Sequence, residues 1–149
     1  MNASIDIPNL LYRYADLFDA GDFVGAARLF DHGVLISGEH VLKGEDAIVA
    51  MWSALVRLYE DGTPRTRHLT TNPIITLAQD GLSAECRSQW TVLQATDTLP
   101  LQVVATGRYQ DRFGVINGEW KFLERRYLQI DLSGDLSAHL LLTLPNKDS

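Results

Sequence analysis

The sequence predicts an α+β fold in which three N-terminal helices cover the concave face of a strongly curved antiparallel or mixed sheet. Apolar residues recur at helical spacing in the first part of the chain. Four long stretches rich in Thr, Val, Ile, Leu and aromatic residues follow Pro64. Strands of that length must curl. Because a curled sheet takes its helices on one face, we expect an apolar interior between helices and sheet, where a ligand would bind.

An apolar stripe that ends before Ala20–Gly21 predicts the first helix, and Asp22 can cap a shorter second one. The segments GVLISG and HVLKG predict two short strands around a turn at Gly38. A third helix is predicted from Glu45 to Tyr59, before Gly62 and Pro64 stop it. The stripe of the first helix consists of Ile7, Leu10, Leu11, Tyr14, Ala15 and Phe18.

The long strands come after the third helix. Asp80-Gly81 and Asn117-Gly118 are favoured hairpin dipeptides, because these residue types tolerate positive φ. Bulges that curl the sheet are expected near Pro73, Pro100 or Gly107. The predicted strands are Arg65–Gln79, Leu82–Thr96, Leu101–Phe113 and Glu119–Leu132.

Length and composition limit the class of protein. The chain has 149 residues, 46% of them apolar, which fits one domain over residues 1–149. A net charge of −6, with no basic run longer than Arg125–Arg126, argues against nucleic acid as a partner. The single cysteine, Cys86, cannot form an intramolecular disulfide, and no leader pattern opens the chain, so a cytoplasmic location is expected. No apolar run is long enough to span a membrane.

Three segments carry a family resemblance: YADLFDAGDFVGAARLF in the first two helices, TRHLTTN at the start of the long sheet, and GRYQDRF with NGEWKFLERRY in the last hairpin. In this order they resemble the SnoaL-like, scytalone dehydratase-like group of the nuclear transport factor 2-like superfamily, over nearly the whole chain. The resemblance implies a cone-shaped, cystatin-like α+β barrel. It implies no single reaction, because the superfamily contains dehydratases, isomerases, cyclases, non-catalytic binders and the small subunits of ring-hydroxylating dioxygenases.

The resemblance also implies a catalytic pair. Asp19 and His68 match an aspartate that orients a histidine, which acts as general base or acid in eliminating water from a cyclic ketone. Other family groups are absent: Phe18 and Gly38 stand where tyrosines are expected, and no second histidine occurs around residues 92–94. Scytalone itself is therefore not the expected substrate. The alternative for the pair is a structural hydrogen bond that closes the gap between helix and sheet.

Candidate substrate-binding residues come from aromatic side chains on inner faces and from one amide. The amide, Asn72, lies two pleats from His68 and shares its face if no bulge intervenes; otherwise it is a turn residue before Pro73. The aromatic residues serve equally well as core, because their burial stabilises any fold. The aromatic candidates are Tyr14, Trp52, Trp90 and Tyr109.

The remaining polar residues receive structural interpretations. The four histidines, at positions 32, 40, 68 and 139, show no ligand spacing, so no metal site is expected. Cys86 is expected to be a small buried hydrophobe. No phosphate-binding glycine motif is present, and no cofactor is expected. Cross-strand ion pairs on the outer sheet face are expected for Arg108, Arg112, Arg125 and Arg126 with Glu85, Asp111 and Glu124.

The functional hypothesis is a small cofactor-free lyase or isomerase, dehydratase-like, that acts on a small apolar cyclic metabolite. Two alternatives stay open: a non-catalytic binder of a hydrophobic molecule, and a structural subunit like the small chain of ring-hydroxylating dioxygenases. We further expect a homodimer formed through the convex side of the sheet, with a trimer as the alternative, because both faces of the last two strands mix apolar and polar residues.

Overall fold

A computed structural model describes residues 1–141, so the end of the predicted 1–149 domain lies outside the described residues. These described residues form three helices and six strands, and the predicted α+β class is confirmed. The helices are α1 (Ala3–Asp19), α2 (Phe23–Arg28) and α3 (Glu45–Leu55). The strands are β1 (Val34–Ser37), β2 (His40–Leu42), β3 (Thr66–Leu77), β4 (Ser83–Gln94), β5 (Gln102–Ile116) and β6 (Glu119–Ser133).

The six strands form one mixed sheet in the order β2-β1-β6-β5-β4-β3. All neighbours are antiparallel except β1 and β6, which run parallel. The side chains of the long strands alternate between the core and solvent: in β4, the even-numbered positions from Ala84 to Gln94 point inward. The apolar stripes of the three helices pack against this inner face of the sheet, and helices and sheet together enclose the core.

The structure contains most of the turns and bulges that the sequence predicts. Asn117 and Gly118 both have positive φ, 52° and 80°, as a tight hairpin turn requires. The β3–β4 register shifts between Thr71 and Ile74, around Pro73, and the β5–β6 register shifts at Gly107. Pro100 marks no bulge, because it lies in the loop between β4 and β5.

The third helix is shorter than predicted. It ends at Leu55 instead of continuing to Tyr59, because the next residue, Val56, is extended (φ −103°, ψ 130°) and bridges to Leu140. The backbone N–H of Arg57 then donates to the carbonyl oxygen of His139 at 2.9 Å. Pairing with the C-terminal segment therefore outweighs the local helical pattern.

Helix α1 places its C-terminal turn against the start of the sheet. Ile7, Leu11, Tyr14 and Phe18 are buried along its inner face. Asn2 caps the helix through its side chain, and Asp22 caps α2 by accepting from the backbone N–H of Gly25, as predicted. This arrangement brings Asp19, the last residue of α1, next to Thr66 and His68 of β3. Within residues 1–141, none of the helices has the length and apolar character needed to cross a membrane.

Candidate active site

A cavity of about 310 Å³ lies between the helices and the inner face of the sheet. Its lining is mainly apolar and aromatic, with a few polar side chains at separate places on the wall. This size and composition are typical of sites for small molecules. The polar and aromatic lining residues are Tyr14, Phe18, Ser37, Trp52, His68, Trp90, Tyr109, Tyr127 and His139.

His68 and Asp19 are in contact at the edge of this cavity. His68 Nδ1 lies 2.5 Å from Asp19 Oδ1, and both side chains are about nine-tenths buried. The same carboxylate accepts hydrogen bonds from the backbone N–H of His68 at 2.6 Å and from Thr66 Oγ1 at 2.8 Å. Because Asp19 holds Nδ1, the ring tautomer is fixed with its proton on Nδ1, and Nε2 is left for a ligand.

A second imidazole, that of His139, lies beside His68. The two ring centres are 6.4 Å apart, and both rings line the cavity. The pKa of His139 is lowered to about 4, because burial disfavours the charged ring and a charge on His68 would repel it, although Asp19 acts in the opposite direction. His139 is therefore neutral at neutral pH.

Three aromatic side chains form a hydrogen-bonded chain in another part of the wall. Trp52 Nε1 donates to Tyr127 Oη at 3.2 Å, and Tyr127 Oη lies 2.5 Å from Tyr14 Oη. Burial raises the pKa of both phenols, which stay protonated. The indole and the two phenols carry three polar protons for these two hydrogen bonds, so one phenol proton remains for another acceptor.

Beneath the phenols lies a buried ion pair. Arg125 Nε and Nη2 donate to the two carboxylate oxygens of Asp111 at 2.9 and 2.8 Å, and both side chains are fully buried. The guanidinium also packs against two phenol rings, 4.3 Å from the ring centre of Tyr14 and 3.9 Å from that of Tyr109. Although burial lowers the pKa of Arg125, Asp111 raises it by more, so Arg125 stays charged.

The expectation that Arg125 and Asp111 pair on the outer sheet face was wrong. The β5–β6 register sets Asp111 opposite Arg125, and the alternation of β5 turns Asp111 inward together with Tyr109 and Phe113. The other arginines do carry exposed pairs: Arg108 with Asp131, and Arg126 with Glu124.

The structure brings most of the predicted site residues together. His68, Tyr14, Trp52, Trp90 and Tyr109 all line the cavity, and Asp19 adjoins it through His68. Trp90 packs flat on Gly107, where an added Cβ would lie 2.3 Å from the indole.

Asn72 is the exception, because it lies outside this cavity. The β3 bulge gives it a positive φ of 53° and breaks the pleat that would have aligned it with His68. Its amide is exposed and lies 3.4 Å from Gln89 Oε1 on the other face of the sheet. Asn72 is therefore a bulge residue within β3, and neither the pocket interpretation nor the turn interpretation describes it.

Sequence reasoning did not identify four residues of the site: Tyr127, Arg125, Asp111 and His139. Asp111 carries a signal, because it shares the alternating face of Tyr109 in β5. Arg125 and Tyr127 carry none, because the alternation of β6 shifts between Phe122 and Arg125. His139 carries no such signal, since it belongs to an irregular segment after the last strand. Cys86 is buried as expected, and burial raises its thiol pKa to about 11. Within residues 1–141, no three His, Cys, Asp or Glu side chains are grouped as metal ligands.

Comparison with known proteins identifies the type of domain. The model of the SnoaL-like domain family matches residues 2–126. No curated protein shows significant sequence similarity to the chain.

Solved structures share the fold. Rv3472 from Mycobacterium tuberculosis, solved as a variant and of unknown function, is 28% identical, with a TM-score of 0.69 over 86% of this chain and 71% of that chain. A cystatin-like protein of unknown function from Nostoc punctiforme is 23% identical, with a TM-score of 0.69 over 86% and 90%. A candidate scytalone dehydratase from Novosphingobium aromaticivorans is 20% identical, with a TM-score of 0.66 over 87% and 85%.

Proposed function

This chain belongs to the SnoaL-like domain family, and on that premise we propose that it is a small cofactor-free lyase or isomerase, dehydratase-like, whose substrate is a small apolar cyclic ketone. The observation that carries the proposal is the His68–Asp19 pair at the cavity edge. A carboxylate on Nδ1 leaves the Nε2 lone pair as a base inside an apolar cavity. The structural neighbour from Novosphingobium aromaticivorans is described as a candidate scytalone dehydratase, which agrees with this chemistry.

The chain of Trp52, Tyr127 and Tyr14 supplies the second requirement, a group that binds the ketone oxygen. Its spare phenol proton can be donated to that oxygen, and the charge of Arg125 behind the Tyr14 ring favours negative charge there. These side chains take the part that the tyrosines absent at Phe18 and Gly38 would have played. They lie on α1, α3 and β6.

The reaction then follows from the two groups. The C–H bond next to the carbonyl breaks, its proton goes to His68 Nε2, and the electron pair moves to the carbonyl oxygen as an enolate held by a phenol. In a lyase, the enolate reforms the carbonyl and expels a hydroxyl group, which leaves as water with the proton from His68. In an isomerase, His68 returns the proton to another carbon. Asp19 stabilises the imidazolium in both cases.

One specific observation favours a non-catalytic binder as the second candidate. The cavity wall is mainly apolar, and Val92 lines it in the region where the family resemblance places a second histidine. An apolar wall of this kind binds a hydrophobic molecule whether or not a reaction follows.

The test is exchange of the α-protons of 1-tetralone, a bicyclic ketone, in deuterated buffer, followed by NMR. We expect wild-type protein to accelerate exchange over buffer. His68→Asn should lower the rate by about 10²-fold, because a positioned base is lost. Asp19→Asn should lower it by less, because His68 is retained but less well oriented. The matched control is His40→Asn, which changes an exposed histidine and should leave the rate unchanged.

Binding of tetralone, followed by tryptophan fluorescence, separates the two candidates. Trp52 and Trp90 line the cavity, so their emission reports occupancy. Tetralone that binds wild-type protein and the folded His68→Asn variant equally, with no accelerated exchange in either, would favour the binder. The melting temperature of each variant shows that its fold is retained.

A further inference from the structure

Ser37 is a polar residue of the cavity wall that the proposed reaction does not use. It is the last residue of β1, and it shares the inner face of that strand with Leu35, which is fully buried in the core. The Ser37 side chain is half-buried and lines the cavity. Its hydroxyl makes no hydrogen bond to any residue of the range 1–141. The hydroxyl can therefore donate to a ligand or accept from one.

The phenol of Tyr127 lies beside Ser37. The parallel register of β1 and β6 pairs these two residues directly, and both line the cavity. Of the two hydrogen-bonded phenols, that of Tyr127 is the more exposed, since only 3% of Tyr14 is accessible. Trp52 Nε1 donates to Tyr127 Oη, and Tyr14 Oη can donate to it as well. The phenol proton that remains for a ligand is then that of Tyr127.

The hydroxyl groups of Ser37 and Tyr127 lie at different depths of the cavity. Neighbouring strands are about 4.8 Å apart, so the Cα atoms of these paired residues are close together. A serine hydroxyl is attached to Cβ, whereas a phenol oxygen is at the far end of the tyrosine ring. The Ser37 hydroxyl therefore lies near the base of the Tyr127 ring, and the phenol proton lies at its tip. A six-membered ring that packs on the Tyr127 ring reaches both groups at once through oxygens on opposite ring carbons.

We propose that Ser37 is a specificity-determining residue that binds a second oxygen of the ligand, across the ring from the ketone. The ligand is a six-membered cyclic ketone with a hydroxyl or a second carbonyl at position 4, and this assignment rests on the proposed function for the place of the ketone. The ketone oxygen accepts from Tyr127, and the oxygen at position 4 contacts Ser37. His68 is on β3, at the far edge of the sheet, so Ser37 takes no part in proton removal.

The experiment measures the binding of ketones that differ in one oxygen, by isothermal titration calorimetry. The probes are 1-tetralone, 4-hydroxy-1-tetralone and, as a positional control, 2-hydroxy-1-tetralone. We expect wild-type protein to bind the 4-hydroxy ketone about fivefold more tightly than 1-tetralone, the effect of one neutral hydrogen bond. Ser37→Ala should abolish this preference and leave the affinity for 1-tetralone nearly unchanged. Ser37→Thr, which retains the hydroxyl, should keep the preference.

Ser53→Ala is the matched control, because Ser53 is an exposed residue of α3 and does not line the cavity. It should bind all three ketones as wild-type protein does. The affinity for the 2-hydroxy ketone should not respond to Ser37→Ala, because its hydroxyl is next to the carbonyl. Equal losses for all three ketones in Ser37→Ala would show a merely structural role and overturn the assignment. Equal binding of 1-tetralone and the 4-hydroxy ketone by wild-type protein would overturn it as well.

Failure of the proposed function is recognised separately, in the α-proton exchange of 1-tetralone. If wild-type protein prefers the 4-hydroxy ketone as expected but accelerates no exchange, the lyase or isomerase proposal fails and the role of Ser37 stands. If exchange is accelerated but Ser37→Ala changes no affinity, the proposed function stands and Ser37 is not a binding residue. Wild-type protein that binds none of the three ketones would overturn the assignment.

Discussion

Asp19 and Asp111 each pair with a basic side chain, and the two pairs lie in opposite settings. At the cavity edge, Asp19 binds His68, and about a tenth of each side chain remains exposed. Behind the cavity wall, against the rings of Tyr14 and Tyr109, Asp111 binds Arg125 through two hydrogen bonds, and neither side chain is exposed; we call these two residues the floor pair. The edge pair contains an imidazole, the side-chain type most often used as a general base, whereas the floor pair contains a guanidinium, which stays charged.

Under the proposed function, this difference separates a catalytic pair from a structural one. The proposed base needs a partner that orients it and a ring nitrogen left for the ligand, and Asp19 is that partner for His68, which lines the cavity. Arg125 instead directs its charge at the rings of Tyr14 and Tyr109, and its hydrogen bonds go to Asp111. We therefore expect the Arg125–Asp111 pair to control the stability of the fold and the His68–Asp19 pair to control activity.

The largest effect is expected from breaking the floor pair. Asp111→Ala leaves the Arg125 charge buried without a partner and should lower the free energy of unfolding by about 3–5 kcal/mol. Urea denaturation measures this loss. The double variant Asp111→Leu with Arg125→Met should regain most of the stability, because both charges are then gone. A loss below about 1 kcal/mol in the single variant would contradict a structural role for the pair.

A smaller effect, dependent on pH, is expected at the edge. The unfolded chain protonates His139 below its ordinary pKa of 6.5, but the folded chain resists protonation down to about pH 4. As the pH falls through this range, protons bind preferentially to the unfolded chain and stability is lost. The contribution is about 3 kcal/mol, on the basis of 1.36 kcal/mol per unit of pKa difference.

The measurement is the free energy of unfolding of wild-type protein and His139→Phe between pH 7 and pH 4. The two proteins differ only at residue 139, and the carboxylates and His68 are common to both, so the difference between the curves reports the His139 ring together with its repulsion by His68. Parallel curves would show that His139 titrates normally in the folded chain.

The smallest effect is expected at the sheet surface, at Arg108 and Asp131. These side chains make two hydrogen bonds of 2.9 Å, the same geometry as the floor pair, but Arg108 is more than half exposed. Arg108→Ala should change the melting temperature very little, because water and salt screen exposed pairs. Thermal unfolding at low and high salt checks this. A loss as large as that of Asp111→Ala would show that geometry, not burial, determines the contribution of such pairs.

The homodimer expected from the sequence stays a prediction. The side chains of Leu69 and Leu132 are 45% and 71% exposed. They belong to one row of cross-strand neighbours on the sheet, in which Thr91 and Thr106 lie between them. Such leucines fit an interface that includes the convex side.

Local patterns predicted much of this protein. The apolar stripe of α1, the cap at Asp22 and the turn at Asn117-Gly118 depend on neighbours in the chain, and the structure contains all three. The pairing of Asp19 with His68 could be anticipated as well, because the family resemblance implied it, and the structure brings the two side chains into contact. The role of the pair is what the exchange experiment tests.

What the sequence could not decide depends on long-range packing and on register. The bulge after Thr71 removed Asn72 from the face of His68, and the β5–β6 register buried Arg125 with Asp111. A shift of one residue moves every side chain to the other face of a sheet, and no local pattern records such a shift. Contact between His139 and the cavity requires a segment after the last strand to pair with the end of α3. Sequence by itself determined which elements form and where they begin, whereas only the tertiary structure decided which polar groups meet, since burial and partners are set by residues far apart in the chain.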